Sequence, residues 1–199
     1  MHKNLQNIKF IGDLSLEDAD VLAGYAQNAD SILEFGSGGS TQIFAQFKAS
    51  TVVSVETDTD WIDITQKRLK QINKEVEFVP YTTTFNQLFD LIFVDGVDHL
   101  RKEFAIETWK YLKNDGVMIF HDTRRFQDFQ NAAWVSQLYF NEIKTIDINA
   151  TASNKVSSNL TVLHKKPLEQ YVNWNDVENK PKWAYGIPDG IDHPLWEYQ

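Results

Sequence analysis

Short runs of apolar residues alternate with longer amphipathic segments along most of this chain. Such alternation is typical of βαβ units, in which each strand of a parallel sheet is followed by a helix packed on that sheet. The pattern predicts strands over residues 31–35, 51–56, 75–81, 89–95, 116–122, 143–148 and 159–164. It predicts helices over residues 16–27, 41–48, 60–72, 101–112 and 126–140. The predicted fold class is therefore α/β with a doubly wound sheet.

Local signals support several of these boundaries. Ser15 followed by Asp18 matches a capping box, in which a hydroxyl and an acid cap the start of a helix. The unbroken apolar run over residues 91–94 suits a strand that is covered on both faces. Asp115 and Gly116 predict a turn into the fifth strand. The last two strands lie too close together for a helix between them, which predicts an antiparallel pair.

The chain has 199 residues, of which 42% are hydrophobic and 24% charged, and this favours one ordinary globular domain. We predict that this domain spans residues 1–165 and that residues 166–199 form a C-terminal extension. The extension contains four of the five prolines and three of the six tryptophans, which argues against another βα unit. We expect it to pack on the domain, with a substrate lid or a contact between subunits of a homo-oligomer as alternatives.

Composition excludes several classes of function. The absence of cysteine excludes disulfides, thiolate zinc sites and a cysteine nucleophile. A net charge of −9 disfavours binding to the phosphate backbone of nucleic acids. The chain has no apolar stretch long enough for a signal peptide or a membrane-spanning helix. We therefore expect a soluble, cytoplasmic protein without a nucleic-acid or membrane partner.

The stretch ILEFGSGGST, over residues 32–41, carries the most chemical information. It predicts a strand that passes through three glycines into a helix, where the backbone can bend sharply and a ligand can approach its amides. Glu56 ends the next strand, twenty residues beyond Gly36, and an acid there can bind ribose hydroxyls. Glu34 would repel a pyrophosphate and favours a ligand with a cationic group. The alternative is a plain strand-to-helix turn.

ILEFGSGGST followed by VVSVETD resembles the two cofactor motifs of class I S-adenosylmethionine (SAM)-dependent methyltransferases. VDGVDH and GVMIFHDT resemble the fourth- and fifth-strand ends of one branch of this family. The resemblance covers about residues 30–165 and implies a Rossmann-like sheet with strand order 3-2-1-4-5-7-6 and helices on both faces. It implies that Glu34 holds the amino group of SAM and that Glu56 binds its ribose. The cofactor-binding residues that it implies are Glu34, Phe35, Gly36, Ser37, Gly38, Gly39, Ser40, Glu56, Thr57, Trp61, Asp95 and Gly96.

Titratable side chains follow the fourth and fifth strands, which are neighbours in that sheet order. They are Asp95, Asp98, His99, His121 and Asp122. In one interpretation His99 or Asp98 is a general base for a hydroxyl acceptor. In a second, Asp95 and Asp122 hold a Mg²⁺ ion that orients a substrate oxygen. In a third, the acids bind loop amides and His121 is satisfied by a neighbour. The candidate catalytic residues are Asp95, Asp98, His99 and His121.

Two further features affect these interpretations. Metal-dependent O-methyltransferases similar to this chain usually have Asn or Asp after the fifth-strand acid, whereas Thr123 follows Asp122 here, which counts against the metal. Arg101, Arg124 and Arg125 lie near the same loops. They either clamp a phosphate or carboxylate of the acceptor or belong to a solvated face.

The sequence therefore predicts a SAM-dependent methyltransferase that transfers a methyl group to an oxygen of a small molecule or sugar. One alternative is an NAD-type Rossmann oxidoreductase. It is disfavoured by Glu34 and by Thr41, which stands where the last glycine of GxGxxG would lie. The other alternative is a non-catalytic, methyltransferase-like binding protein, because a fold alone does not establish catalysis.

Overall fold

The architecture comes from a computed structural model that describes residue 5, residues 9–47 and residues 51–168. The strands are β1 (Ser31–Phe35), β2 (Thr51–Val55), β3 (Glu77–Val79), β4 (Phe89–Val94), β5 (Leu112–Phe120), β6 (Ile143–Asp147) and β7 (Thr161–Lys165). The α-helices are α1 (Leu16–Ala26), α2 (Gly39–Gln46), α3 (Thr59–Gln71), α4 (Asp98–Thr108) and α5 (Phe126–Leu138). The alternation that the hydrophobic pattern predicts is confirmed.

Within the described residues the strands form one seven-stranded sheet in the order β3-β2-β1-β4-β5-β7-β6. β1 pairs in parallel with β2 and β4, and β5 is parallel to β4. β7 runs antiparallel to both β5 and β6. The predicted fold class, strand order and antiparallel pair are confirmed.

Helices cover both faces of the sheet, and side chains of β1 alternate between the two cores. Ile32 packs on one face with Leu22 of α1 and Phe44 of α2. Leu33 packs on the other face with residues of α4 and α5, among them Phe104. A strand between two helical layers can be apolar without interruption, which explains the sequence of β4.

The strand register determines which residues meet at the carboxyl edge of the sheet. Phe35 of β1 is level with Val55 of β2 and with Val94 of β4, and Val94 is level with Phe120 of β5. Because these four strands are parallel, the next residue of each leaves the sheet at the same edge. Those next residues are Gly36, Glu56, Asp95 and His121.

Two helices begin at least two residues earlier than the sequence predicts. α2 starts at Gly39, the last residue of the glycine turn (residues 36–39), because Gly38 is the N-cap and its amide donates to Thr41 Oγ1 at 2.8 Å. α4 starts at Asp98, whose carboxylate complements the helix dipole and lies 3.2 Å from the Arg101 guanidinium. The candidate residue Asp98 therefore lies on a helix and not on a loop.

The predicted turn at Asp115 and Gly116 is wrong, since both residues lie inside β5. Asp115 has a left-handed φ of 62°, and the register against β4 shifts between Phe89 and Leu91. Residues that favour a turn here form an irregularity within a strand. β3 is also shorter than predicted, with three residues, because it lies at the edge of the sheet and pairs only with β2 among the described strands.

The predicted C-terminal extension lies outside the described residues, apart from residues 166–168. Its packing, and any contact it makes between subunits, stay predictions. In the part of the chain that the structure describes, no helix is both long and apolar enough to cross a bilayer.

Candidate functional site

A cleft of about 560 Å³ opens at the carboxyl ends of β1, β2, β4 and β5. It is lined by residues 11–14, 36–40, 56–58 and 95–98, together with Trp61, Arg101, His121, Asp122 and Arg125. A larger cleft of about 800 Å³ lies between α1 and residues 146–153 and shares no lining residue with the first. We take the smaller cleft as the candidate site, because it collects the strand-end residues that can carry chemistry.

The glycine turn is shaped in part by contacts within the protein. Gly36 has a left-handed φ of 89°, and a Cβ there would lie 2.6 Å from the Gly96 backbone. A Cβ on Gly39 would lie 2.8 Å from the carbonyl oxygen of Ile11. Glycine is therefore required at both positions for the close approach of backbone to backbone.

Glu34 lies behind this turn and does not line the cleft. Side chains of β1 alternate, so Glu34 points to the α2 face, where it is 0% exposed. Its carboxylate accepts hydrogen bonds from the hydroxyls of Ser40, Thr41 (2.6 Å) and Ser54 (2.9 Å). Burial raises the pKa of Glu34 to about 7 despite these donors. The structure thus gives Glu34 a supporting position under the glycine turn, in place of the expected position facing a ligand.

Phe35 and His99 are also absent from the lining of the cleft. Phe35 points to the opposite face from Glu34 and stacks on Phe104, with ring centroids 4.5 Å apart. His99 is an exposed residue in the first turn of α4. The first interpretation of the strand-end acids therefore keeps Asp98, which lines the cleft, as its candidate base.

Glu56 lines the cleft, but its carboxylate already has four hydrogen-bond donors. Oε2 accepts from the Ser37 amide (2.8 Å) and hydroxyl (3.1 Å), and Oε1 accepts from the amides of Thr57 (2.7 Å) and Asp58 (3.0 Å). A carboxylate has about four acceptor positions, so a ribose hydroxyl must replace one of these donors. The Ser37 hydroxyl is the most readily exchanged, since it also lies 3.3 Å from Thr65 Oγ1.

Trp61 and the segment before α1 close the cleft on the side of the glycine turn. The Trp61 indole N–H donates to the Ser37 carbonyl, and a Cβ on Gly38 would lie 3.5 Å from the indole nitrogen. The Ile11 amide donates to Gln42 Oε1 at 2.9 Å, which fixes residues 11–14 beside α2. No sequence pattern identifies this segment, because it lies outside the βα units and carries no motif.

His121 is 4% exposed and lies among carboxylates from three elements. Its Nδ1 is 3.0 Å from Asp95 Oδ2, and its Nε2 is 3.6 Å from Asp18 Oδ2 and 3.9 Å from Asp122 Oδ1. Neither nitrogen makes a hydrogen bond of good geometry with a described residue, so these contacts are ion pairs. Burial alone would lower the pKa of His121, but Asp18 and Asp95 raise it to about 10. His121 is therefore a cation at neutral pH and cannot take a proton there.

Asp18 reaches this group from α1 and is missed by the sequence analysis as a site residue. The predicted capping box is confirmed, with the Asp18 amide 3.0 Å from Ser15 Oγ. The same carboxylate also accepts from the Asn159 amide at 2.6 Å and faces His121. One acid thus caps a helix and contributes to the charge of the cleft.

Arg101 is buried, so its interpretation as part of a solvated face is wrong. It is 7% exposed, and it donates to the Gly96 carbonyl and to Asp128 Oδ1, each at 2.6 Å. Arg125 pairs with Asp122 and with Asp128 Oδ2 (2.8 Å), while Arg124 donates to the Ser157 carbonyl at 2.8 Å. These guanidinium groups already have acceptors within the protein, so they do not form a free clamp for an anionic acceptor.

The predicted Mg²⁺ site does not fit these residues. Asp95, His121 and Asp122 do bring potential ligand atoms within 4.8 Å of one another. Thr123, which follows Asp122, is buried and its hydroxyl accepts from Thr161 Oγ1 at 2.9 Å. Magnesium requires near-octahedral oxygen ligands. Cations and amide donors of the protein already contact both carboxylates.

No protein-family model and no curated protein matches this chain. Solved structures do match it. A methyltransferase-like protein from Silicibacter pomeroyi has a TM-score of 0.58 and 20% identity, covering 80% of this chain and 90% of that chain. The O-methyltransferase from Bacillus cereus in complex with S-adenosylhomocysteine (SAH) has a TM-score of 0.59 and 20% identity, and the match covers 77% of this chain and 83% of that chain. The chain has the methyltransferase fold. The O-methyltransferase TomG from Streptomyces achromogenes, in complex with SAM, has a TM-score of 0.60 and 14% identity, and the match covers 77% of this chain and 82% of that chain.

Most of the predicted site residues meet in the cleft of this methyltransferase fold. The predicted cofactor residues that line it are Gly36, Ser37, Gly38, Gly39, Ser40, Glu56, Thr57, Trp61, Asp95 and Gly96. The predicted catalytic residues that line it are Asp95, Asp98 and His121. Their roles toward a ligand stay predictions.

Proposed function

We propose that this protein is a SAM-dependent methyltransferase that acts on an oxygen of a small molecule or sugar. The observation that carries the proposal is the register of the four parallel strands, which leaves Gly36, Glu56, Asp95 and His121 side by side around one cleft. The O-methyltransferases of the same fold from Bacillus cereus and Streptomyces achromogenes, with SAH and SAM respectively, support the choice of cofactor and of oxygen.

The charge of the cleft supports SAM over a dinucleotide. Six carboxylates line it, against two guanidinium groups and one imidazole. SAM has a sulfonium, an ammonium and one carboxylate, so it is a net cation, whereas the pyrophosphate of NAD is an anion. Like charges in a narrow cleft repel, and both guanidinium groups are already paired with carboxylates. Glu34 does not line the cleft and is not one of these six carboxylates.

The proposed cofactor position follows from the lining of the cleft. The methionine part of SAM lies along the glycine turn, and its ribose replaces the Ser37 hydroxyl at Glu56. The Asp95 side of the cleft is left for the acceptor. Transfer requires the acceptor oxygen in line with the methyl–sulfur bond at about 3 to 3.5 Å. The oxygen forms a bond to the methyl carbon as the sulfur takes the bonding pair, which yields SAH.

The proton of the acceptor hydroxyl needs an acceptor in the protein. His121 is already protonated at neutral pH, because Asp18 and Asp95 raise its pKa to about 10. Asp98 is the better candidate: its side chain is 58% exposed, it lines the cleft, and its contact with Arg101 uses Oδ1. A hydroxyl becomes strongly acidic as its oxygen bonds to the methyl carbon, so a carboxylate is a sufficient base.

Calorimetric titration with SAH tests the proposal. We expect one site per chain, and ligand at about a hundredfold its Kd should raise the free energy of unfolding by about 2.7 kcal/mol. Glu56→Gln should weaken binding, whereas Glu77→Gln, an exposed change on β3, should leave it unchanged. Equal affinity of the two variants would reject the assignment of Glu56, and the absence of heat with both SAH and SAM would reject the function. Labelled SAM offered with pools of hydroxyl compounds then identifies the acceptor.

A further inference from the structure

The acids at the ends of β4 and β5 belong to a chain of alternating charges. Asp95 contacts Arg101, Arg101 contacts Asp128, Asp128 contacts Arg125, and Arg125 contacts Asp122. We call these five residues the charge ladder. Asp128 is the middle of the ladder: it is 4% exposed and binds one arginine with each carboxylate oxygen.

At one end of the charge ladder, both carboxylate oxygens of Asp95 face cationic groups. Oδ1 lies 3.2 Å from the Arg101 guanidinium, and Oδ2 lies 3.0 Å from Nδ1 of His121. Arg101 is also bound to the Gly96 carbonyl at 2.6 Å, so it cannot turn away without leaving a buried charge unpaired. The negative charge of Asp95 is therefore balanced by two cationic side chains of the protein itself.

At the other end, both carboxylate oxygens of Asp122 are also occupied. Oδ1 accepts from the side-chain amide of Asn159 at 2.9 Å, and Oδ2 pairs with the Arg125 guanidinium. Carboxylates lie close to both ring nitrogens of His121, with Asp95 near Nδ1 and with Asp18 and Asp122 near Nε2. A metal ion at this edge would need a free carboxylate oxygen, and each of the four oxygens of Asp95 and Asp122 already faces a cation or an amide donor of the protein.

We propose that the arginines of the charge ladder are built-in counter-ions for Asp95 and Asp122, so that the acceptor side of the cleft takes no divalent cation. Arg101 and Arg125 supply two permanent positive charges where a metal-dependent enzyme of this fold would hold one divalent ion. Their guanidinium groups stay charged at every physiological pH. The assignment of this edge to the acceptor rests on the proposed function, but the exclusion of metal does not.

Binding of Mn²⁺, followed by electron paramagnetic resonance, tests the proposal without an acceptor or a cofactor. We expect wild type to show no saturable Mn²⁺ site in the micromolar range that carboxylate sites of proteins reach. Arg125→Gln should create one, with affinity at least about tenfold above wild type, because Asp122 then has a free oxygen and one positive charge fewer nearby. Arg125 is an exposed side chain (54%), and the buried Asp128 keeps its contact with Arg101 when Arg125 is replaced.

The neighbouring Arg124→Gln is the matched control. It removes the same charge, but Arg124 binds the Ser157 carbonyl and lies outside the charge ladder. It should bind Mn²⁺ as weakly as wild type. Tight stoichiometric binding to wild type that Asp122→Asn abolishes would overturn the proposal. Failure of Arg125→Gln to gain a site would overturn it too, because the arginine would then not be what excludes the ion. SAH binding, measured with and without a chelator, reports separately on the proposed function.

Discussion

Replacement of Glu34 by Gln tests whether this carboxyl group is buried in the folded protein. The carboxyl group is fully buried, and burial raises its pKa from 4.5 to about 7. The folded protein therefore holds this proton more tightly than the unfolded chain does. The resulting stability is fully present below about pH 4.5 and is lost as the pH rises through about 7. The pKa difference corresponds to about 3 kcal/mol.

The side-chain amide that Glu34→Gln introduces does not titrate, so the variant lacks this contribution while every other titrating group is shared with wild type. The free energy of unfolding of wild type minus that of Glu34→Gln should fall by about 3 kcal/mol between pH 4 and pH 8. Urea denaturation at a series of pH values measures this difference directly. A difference that stays constant over that range would refute the reasoning, because it would mean that the Glu34 carboxyl reaches water.

Other residues of the cleft give three further predictions. His121→Gln should lower the free energy of unfolding by several kcal/mol at pH 7 and by far less above pH 10. The reason is that the stability from a raised pKa of about 10 is present below about pH 6.5 and is lost as the pH rises through 10. Equal losses at the two pH values, measured by urea denaturation, would contradict this. Gly36→Ala should prevent folding, since its Cβ would lie 2.6 Å from the Gly96 backbone. Gly24→Ala in α1, where a Cβ would have no atom within 4 Å, should instead raise the free energy of unfolding by about 1 kcal/mol. Soluble yield and urea denaturation compare the two variants. SAH should change the tryptophan fluorescence of wild type but not of Trp61→Phe, as the indole lies on the glycine turn; the same change in both proteins would place the ligand elsewhere.

The fold could be predicted from the sequence because its signals are local and periodic. β1 matches the predicted boundaries, 31–35, and the capping box at Ser15 forms as expected. The errors arise where tertiary contacts override a local signal. Asp115 and Gly116 favour a turn, but they form an irregularity within β5, because pairing with β4 holds Leu112 and Val117 on either side of them.

The candidate site was predictable only as far as it depends on strand ends. Glu56, Asp95 and His121 follow parallel strands and therefore meet, whatever their side chains do. The spacing of residues along the sequence does not predict which way each side chain points or which groups it contacts. Asp18 and Asp128 come from helices that no motif connects to the cleft, yet their contacts decide the charge of His121 and the state of the arginines.

A crystal structure of the protein grown with SAH tests the central claim most directly. We predict a nucleoside in the cleft at the carboxyl ends of β1, β2 and β4, with a ribose hydroxyl bound to Glu56 and the amino acid part along residues 36–40. SAH found between α1 and residues 146–153, or an empty cleft at saturating SAH, would contradict it.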